Sequence, residues 1–434
     1  MGAGGLPSGG PAGGMGYGKA LGNVFIAFIG AGILGLPFAF KASGAFSGSV
    51  FLVAVAFMAW HAVLALSRSR AALERSGAAP PGACATYSDV AEGALGKPGR
   101  VLVSCLLVLS QTGFCTAYLV FIGENVHAAL PSLGSSDAVV VMLLPALVAL
   151  SWVKSLSSLA PCSIAADALN AYGLLCIFKD DLAALAARGS LAESSTGIAH
   201  LPMLFGMFIY CFEGIGMMLP LEASMHEPRR FPEVLTLGMA CITALFVAFG
   251  AVGYAAFGEE TADIVTLNLP EGALTATVRA ALCVALLLTF PVMLVPVWEI
   301  VEPLCLGLLL STEQGVPTKP LGPPGAREAV RRSCRAAVVA VVVTVAVAVP
   351  GFSVFISLVG STACGLLAYV LPGLCHILLV GPERMPRWQL ALDVALVVFG
   401  VVGGLFGTLN TLASLADTHP AMAAAAAATG PVGK

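Results

Sequence analysis

Uncharged apolar runs of about 20 residues recur along the whole chain, and no other feature limits its possible folds as much. A helix of that length crosses the hydrocarbon of a bilayer with its backbone hydrogen bonds made internally. Of the 434 residues, 58% are apolar and only 10% are charged. A soluble domain is nearer 45–50% apolar and about 25% charged. So little polar surface cannot cover a water-soluble globule of this size. The short alternating segments of a membrane barrel are not seen. The chain therefore reads as an all-α polytopic membrane protein, which excludes a soluble enzyme, a fibrous protein and a nucleic-acid binder.

Reading the runs between charged or turn-rich breaks predicts eleven transmembrane helices, centred on 19–40, 45–67, 99–123, 137–153, 157–178, 199–220, 233–257, 273–303, 330–349, 352–379 and 388–413. Residues 1–18 and 414–434 are expected to be disordered tails, the first cytosolic, flanking a membrane domain over 19–413. With the N-terminus in the cytosol, sixteen of the 21 basic residues fall on the cytosolic side. The others are Lys41, Lys179, Arg188, Arg279 and Lys434. Basic loops stay in the cytosol, so the N-terminus is placed there and the C-terminus on the opposite side. The Gly-rich start lacks the basic region of a cleavable signal, and Leu6 breaks the myristoylation pattern. Twelve cysteines, mostly in apolar runs and without a CxxC pair, read as small buried residues.

Two spans carry closely spaced glycines followed by proline at mid-membrane depth. Span one holds Gly30-Ala-Gly-Ile-Leu-Gly-Leu-Pro37, and span six holds Phe212-Glu-Gly-Ile-Gly-Met-Met-Leu-Pro220. Glycine lowers the cost of leaving the helix, and proline removes a helical hydrogen bond. The freed backbone groups are costly in lipid unless they line a cavity or meet a ligand. Five spans separate the two segments, so the halves 19–179 and 199–376 run in opposite directions, and 388–413 is an extra helix. The expected fold is an inverted five-plus-five repeat with broken helices one and six and a substrate site between them. Half-helix N–H groups suit a carboxylate, and unwound carbonyls suit an ammonium or another cation. The site suits a zwitterion.

Within the expected bilayer lie Asp167, Glu213 and Asp393, with Glu299 and Glu302 near one end of span eight and no Lys or Arg at comparable depth. An ionised carboxylate near the centre costs roughly 2.5–3.5 kcal/mol on insertion scales. Glu213, inside the break, is the first candidate for carrying a proton and Asp167 the second, whereas Asp393 reads as structural. The histidines, His61 and His376 among them, read as packed or interfacial. Gly30, Ala31, Gly32 and Gly35 would offer backbone groups to a ligand. Thr289, Ser110, Gln111 and Tyr118 could add side-chain contacts. No nucleotide-binding loop, metal cluster or catalytic triad is present, so no cofactor is expected.

These residues also carry a family likeness. The runs Gly22-Asn-Val…Gly30-Ala-Gly-Ile-Leu-Gly-Leu-Pro-Phe-Ala-Phe-Lys41, Ser110-Gln-Thr-Gly-Phe-Cys…Phe-Ile-Gly123, Leu159-Ala-Pro-Cys-Ser-Ile-Ala-Ala-Asp167, Phe212-Glu-Gly-Ile-Gly-Met-Met-Leu-Pro-Leu-Glu222, Gly253-Tyr-Ala-Ala-Phe-Gly258 and Thr289-Phe-Pro-Val-Met-Leu-Val-Pro-Val-Trp-Glu299 resemble the amino acid/auxin permease family over roughly 19–412. Plant vacuolar and aromatic and neutral amino acid transporters are the nearest members, then animal proton-coupled ones. The resemblance implies eleven spans and proton-coupled movement of neutral amino acids out of a vacuole or lysosome. It carries the family's substrate segments onto Gly30, Ala31, Gly32 and Gly35, and onto Phe212, Glu213 and Gly214. Tyr17-Gly-Lys-Ala-Leu21 lacks the His that animal proton-coupled members have there, and the position four residues before the first loop Gly, where sodium-coupled members have an Asn, lies here at Ile26 and Ala27 and is not an Asn. The expectation is a secondary active transporter of neutral amino acids in symport with protons. The alternatives are sodium-coupled uptake at the plasma membrane, and an amino acid sensor with little flux.

Overall fold

The computed structural model describes residues 14–77, 86–153, 156–188, 201–310, 324–349 and 351–418. The expected tails over 1–13 and 419–434 lie outside the described residues. The remaining part of the expected N-terminal tail is structured. Met15 pairs with Ser224 and His226 through main-chain hydrogen bonds of 2.8 and 3.0 Å, and the first helix begins at Tyr17.

Span one is α1 (Tyr17–Phe28), a tight turn over Ala31–Gly35 and α2 (Leu36–Ser43), with a bend of 50° between its halves. Pro37 sits in the first turn of α2, where no helical N–H is lost. Gly44, at φ 81°, turns the chain into α3 (Ala45–Arg75). A short α4 (Tyr87–Leu95), capped by the Thr86 hydroxyl, leads to α5 (Lys97–Ala129). Then come α6 (Ser136–Ser151) and α7 (Leu156–Arg188). Span six is α8 (Leu201–Cys211) and α9 (Ile215–Ser224), followed by α10 (Phe231–Phe257). Span eight is divided at Leu294, between Pro291 and Pro296, into α11 (Ala273–Met293) and α12 (Val295–Leu310). The chain ends with α13 (Pro324–Ala348), α14 (Phe352–Val359), α15 (Leu371–Val380) and α16 (Arg387–Thr418). Between α14 and α15 the helix widens into π-type turns over Gly360–Cys364 and Leu366–Val370.

Helices thus run through all eleven expected stretches, and no strand occurs among the described residues. Among the described residues, seven helices are by length and composition long and apolar enough to cross a membrane, or eight counting the bent pair α1–α2. Outside that set, α6 is apolar but only 16 residues long. The continuous α7 carries the polar Asp167 and Asn170 within its apolar run, and four arginines occupy the first half of α13.

Because lipid is as apolar as the helices themselves, close packing must hold them together. The Leu204–Ser224 stretch is the axis of the bundle, 83% buried, while Arg387–Ser414 lies at the edge, 28% buried. Gly206 of α8 and Gly360 cross main chain against main chain, leaving no room for a Cβ on either. Above that crossing, Phe208 packs on Phe40 and Phe51, with ring centroids 6.1 and 5.8 Å apart.

At the end where α1 begins, the arginines meet carboxylates. Arg335 and Arg331 hold Glu302 at 2.6 and 3.4 Å, and Arg70 lies 3.5 Å from Glu222. At the opposite end Lys41, Arg188 and Arg279 donate to main-chain carbonyls instead.

Candidate functional site

Both expected breaks are present, and they face each other. In span one, Ile29 N–H donates to Phe25 O at 2.8 Å and closes α1. Gly30 is extended (φ −127°, ψ −163°) before the turn Ala31–Gly35. In span six, Phe212 N–H is shared between Phe208 O and Ile209 O, Glu213 and Gly214 leave the helix, and α9 restarts at Ile215. A Cβ on Gly214 would stand 2.9 Å from Ala27 O and 3.1 Å from the Phe28 ring. A Cβ on Gly32 would stand 2.9 Å from both Cys211 Sγ and the Tyr210 ring. Each break therefore packs on the helix end beside the other.

Helix ends leave main-chain groups without helical partners, N–H at the start and C=O at the finish. Here the carbonyl ends of α1 and α8 meet the amide ends of α9 and of the Ala31–Gly35 turn. One small region presents partial charges of both signs, about half a charge at each end. A group with separated negative and positive ends fits it.

Side chains complete the region. Glu213 is buried, and its Oε1 has no hydrogen-bond partner among the described residues. The Tyr210 hydroxyl is likewise buried and unpartnered. Tyr118 Oη is the nearest atom to a Cβ built on Gly30, at 3.9 Å. Phe114 stands edge-on to Tyr210, with centroids 4.8 Å apart, and Phe212 packs on Phe246 at 5.3 Å. Gly35 lies against Ile356, Met207 and Phe352, and Ala31 is buried beside it.

Other expected contacts are engaged elsewhere. The Thr289 hydroxyl donates to Ala285 O of its own helix at 2.8 Å, and Ser110 to Leu107 O at 3.2 Å. Gln111 is buried in α5. Asp167 is half-buried on α7, which packs mainly on α11 and α10 rather than on either break.

Tyr210, Phe114 and Cys211 were not anticipated from the sequence. A tyrosine hydroxyl three residues before Glu213, within an otherwise apolar run, was the available signal for the first of them.

Asp393, without a Lys or Arg at its depth, is held instead by two histidines. Its Oδ1 lies 2.8 Å from His61 Nε2 and its Oδ2 lies 2.6 Å from His376 Nδ1, all three residues being buried. This cluster ties α16 to α3 and α15. A cavity of about 950 Å³, lined in part by Tyr17, Asn23, Ile26, Ser224 and His226, opens at the end where α1 begins. Among the described residues no group of three or more His, Cys, Asp or Glu is arranged to hold a metal ion.

Residues 13–413 match the family of transmembrane amino acid transporter proteins. The chain is 36% identical over 402 residues to amino acid transporter ANT1 of Arabidopsis thaliana, covering 90% of this chain and 91% of that protein. It is 35% identical over 411 residues to amino acid transporter AVT3C of the same plant, covering 90% and 89%. Vacuolar amino acid transporter 3 of Schizosaccharomyces pombe is 28% identical over 400 residues, covering 90% of this chain and 57% of that protein. Two solved structures share the fold at low identity. One is a substrate-bound, outward-open Na⁺-coupled sialic acid symporter, 13% identical, covering 91% of this chain and 87% of that one, with a TM-score of 0.52. The other is Mhp1, a nucleobase-cation-symport-1 family transporter in a closed conformation with bromovinylhydantoin bound, 15% identical, covering 96% of both chains, with a TM-score of 0.53.

Proposed function

Because the chain belongs to the transmembrane amino acid transporter family, we propose that it is a secondary active carrier of neutral amino acids, moved in symport with protons from a vacuole-like lumen to the cytosol. It is a transporter by descent and not an enzyme. The observation that carries the reading is the facing pair of helix breaks, with a buried carboxylate oxygen that nothing described satisfies. In this scheme the α-carboxylate of the substrate takes the amide ends at Gly30, Ala31, Gly32 and Gly214, and the ammonium takes the carbonyl ends. Gly35, Phe212 and Thr289 bound the pocket. Neutral side chains fit walls made of Phe114, Tyr118, Tyr210 and Phe212.

Glu213 carries the transported proton, with Asp167 as the second candidate. A bare carboxylate at that depth is costly, so the break favours a protonated Glu213 or one paired with a passing cation. Eleven spans, with α6, α7 and α13 also crossing, would put the N-terminus in the cytosol and the C-terminus in the lumen. The halves 19–179 and 199–376 would form inverted repeats. A bundle of spans one, two, six and seven would rock against a scaffold of spans three to five and eight to ten. The vacuolar relative from yeast supports the membrane assignment.

Uptake of labelled neutral amino acids into proteoliposomes tests this. Uptake should rise several-fold with an inward proton gradient, collapse with a protonophore, and lose that stimulation in Glu213→Gln. Equal uptake with and without the gradient, or stimulation by sodium alone at fixed pH, would overturn the coupling.

A further inference from the structure

Asp181 lies three residues past the apolar stretch of span five (157–178), on the last turns of α7. It is 0% exposed, and neither carboxylate oxygen has a hydrogen-bond partner among the described residues. Buried carboxylates are ordinarily paired or hydrogen-bonded, because removal from water without compensation is costly.

Cations stand at the same end of the bundle and turn elsewhere. Lys41 Nζ donates to Glu259 O at 2.5 Å and to Thr261 O at 3.3 Å. Arg188 donates to Ala256 O at 3.3 Å, and Arg279 of α11 to Thr266 O at 3.0 Å. Lys179 is exposed and lies 3.9 Å from Asp180. The other titratable groups on the elements packed there are Tyr254 near the end of α10, Glu259, Glu260 and Asp263 beyond it, and Cys283 on α11. The Tyr254 hydroxyl is also buried and unpartnered. None of these groups donates to Asp181.

What Asp181 does face is a seam. A Cβ on Gly253 of α10 would lie 3.2 Å from Asp181 Oδ2 and 2.6 Å from Pro37 Cγ of α2. Under the proposed mechanism, on which this inference rests, α7 belongs to the scaffold while α2 and α10 belong to the moving bundle. The carboxyl is thus sealed when the bundle packs on the scaffold at this end and wetted when it swings away.

We propose that Asp181 is a proton-binding site of the gate at the end opposite the start of α1, taking up a proton as the gate closes and releasing it to the same side as the gate opens. The bound proton is not the transported one. It lets acidity on that side favour the closed gate and hence the state open where α1 begins. Burial first, and then the neighbouring Asp180, push the Asp181 carboxyl up to about 7 in the closed gate. In water an Asp titrates near 3.9. Between roughly 4 and 7, closing therefore takes up one proton. Each unit of falling pH raises the closed-to-open ratio about tenfold, and above about 7 the ratio stops changing.

Two measurements on the full chain in lipid test this. Infrared titration should show a protonated carboxyl band that disappears with a midpoint near 7. The band should persist in Glu213→Gln, which removes the other unpartnered buried carboxyl; in that background it should vanish on adding Asp181→Asn and shift to lower pH on adding Asp180→Asn. Exchange of a labelled neutral amino acid at equal pH on both sides, where no net proton flux drives transport, should change with pH in the wild type. The change between pH 4 and 7 should be smaller in Asp181→Asn, where the gate no longer titrates. A band that survives Asp181→Asn in the Glu213→Gln background, or an exchange profile unchanged by Asp181→Asn, overturns the site. A correct infrared result with no exchange in any protein would keep the proton site and sink the carrier reading instead.

Discussion

Replacing Gly30 by alanine separates the folding of the first break from its use. Gly30 sits at φ −127°, ψ −163°, extended backbone open to any residue. The nearest atom to the added Cβ is Tyr118 Oη at 3.9 Å, an ordinary contact. No clash is introduced, so the native state should be undisturbed to within about 0.5 kcal/mol. The reduced freedom of the unfolded chain can even return about 0.4–1 kcal/mol. If a substrate carboxylate docks against the amides following Gly30, the methyl occupies its approach. An overpacked contact of that kind costs about 1–3 kcal/mol, equivalent to roughly a 5–150-fold rise in KM. The assay is concentration-dependent uptake in proteoliposomes, alongside the thermal unfolding midpoint of the same preparation. An unchanged or slightly raised midpoint with a KM raised at least fivefold is the expected pair. A folded Gly30→Ala protein with KM within twofold of wild type would refute the placement of substrate at this break.

Gly360→Ala should behave in the opposite way. Its Cβ would run into the main chain of Gly206, so the bundle must spread at its axis, costing about 1–3 kcal/mol. The unfolding midpoint should drop by several degrees, and a preserved midpoint would contradict the crossing. Asp393→Ala removes the acceptor of two buried imidazoles. At about 1–3 kcal/mol for each stranded polar group, it should lower the midpoint by a similar or larger amount, whereas an unchanged midpoint would make the cluster incidental.

The breaks were legible in the sequence because their cause is local. Gly30, Gly32 and Gly35 ahead of Pro37, and Gly214 and Gly216 ahead of Pro220, weaken the helix wherever the rest of the chain sits. Glu213 was legible for the same reason, as a carboxylate inside one of those breaks. The His61–Asp393–His376 cluster was not, because 332 residues separate the first two members and nothing local ties them. An isolated buried Asp and two isolated histidines look unremarked until α16 is packed against α3 and α15. Asp181 escaped notice because it lies beyond the apolar stretch, in what reads as a solvated acidic turn with Asp180. Its burial arises only when α2 and α10 close over the end of α7. The ordered start at Met15 depended likewise on a distant partner, Ser224.

The central claim is that an amino acid is held where α1 and α8 end and the chain restarts. A structure of the full chain solved with a transported neutral amino acid tests it most directly. The ligand should lie between Gly30–Gly32 and Glu213–Gly214, its carboxylate on main-chain N–H groups and its ammonium on the carbonyl ends of α1 or α8. Ligand bound instead in the open cavity beside Tyr17, Asn23 and His226, or continuous helical turns through both segments in the bound state, would contradict the account.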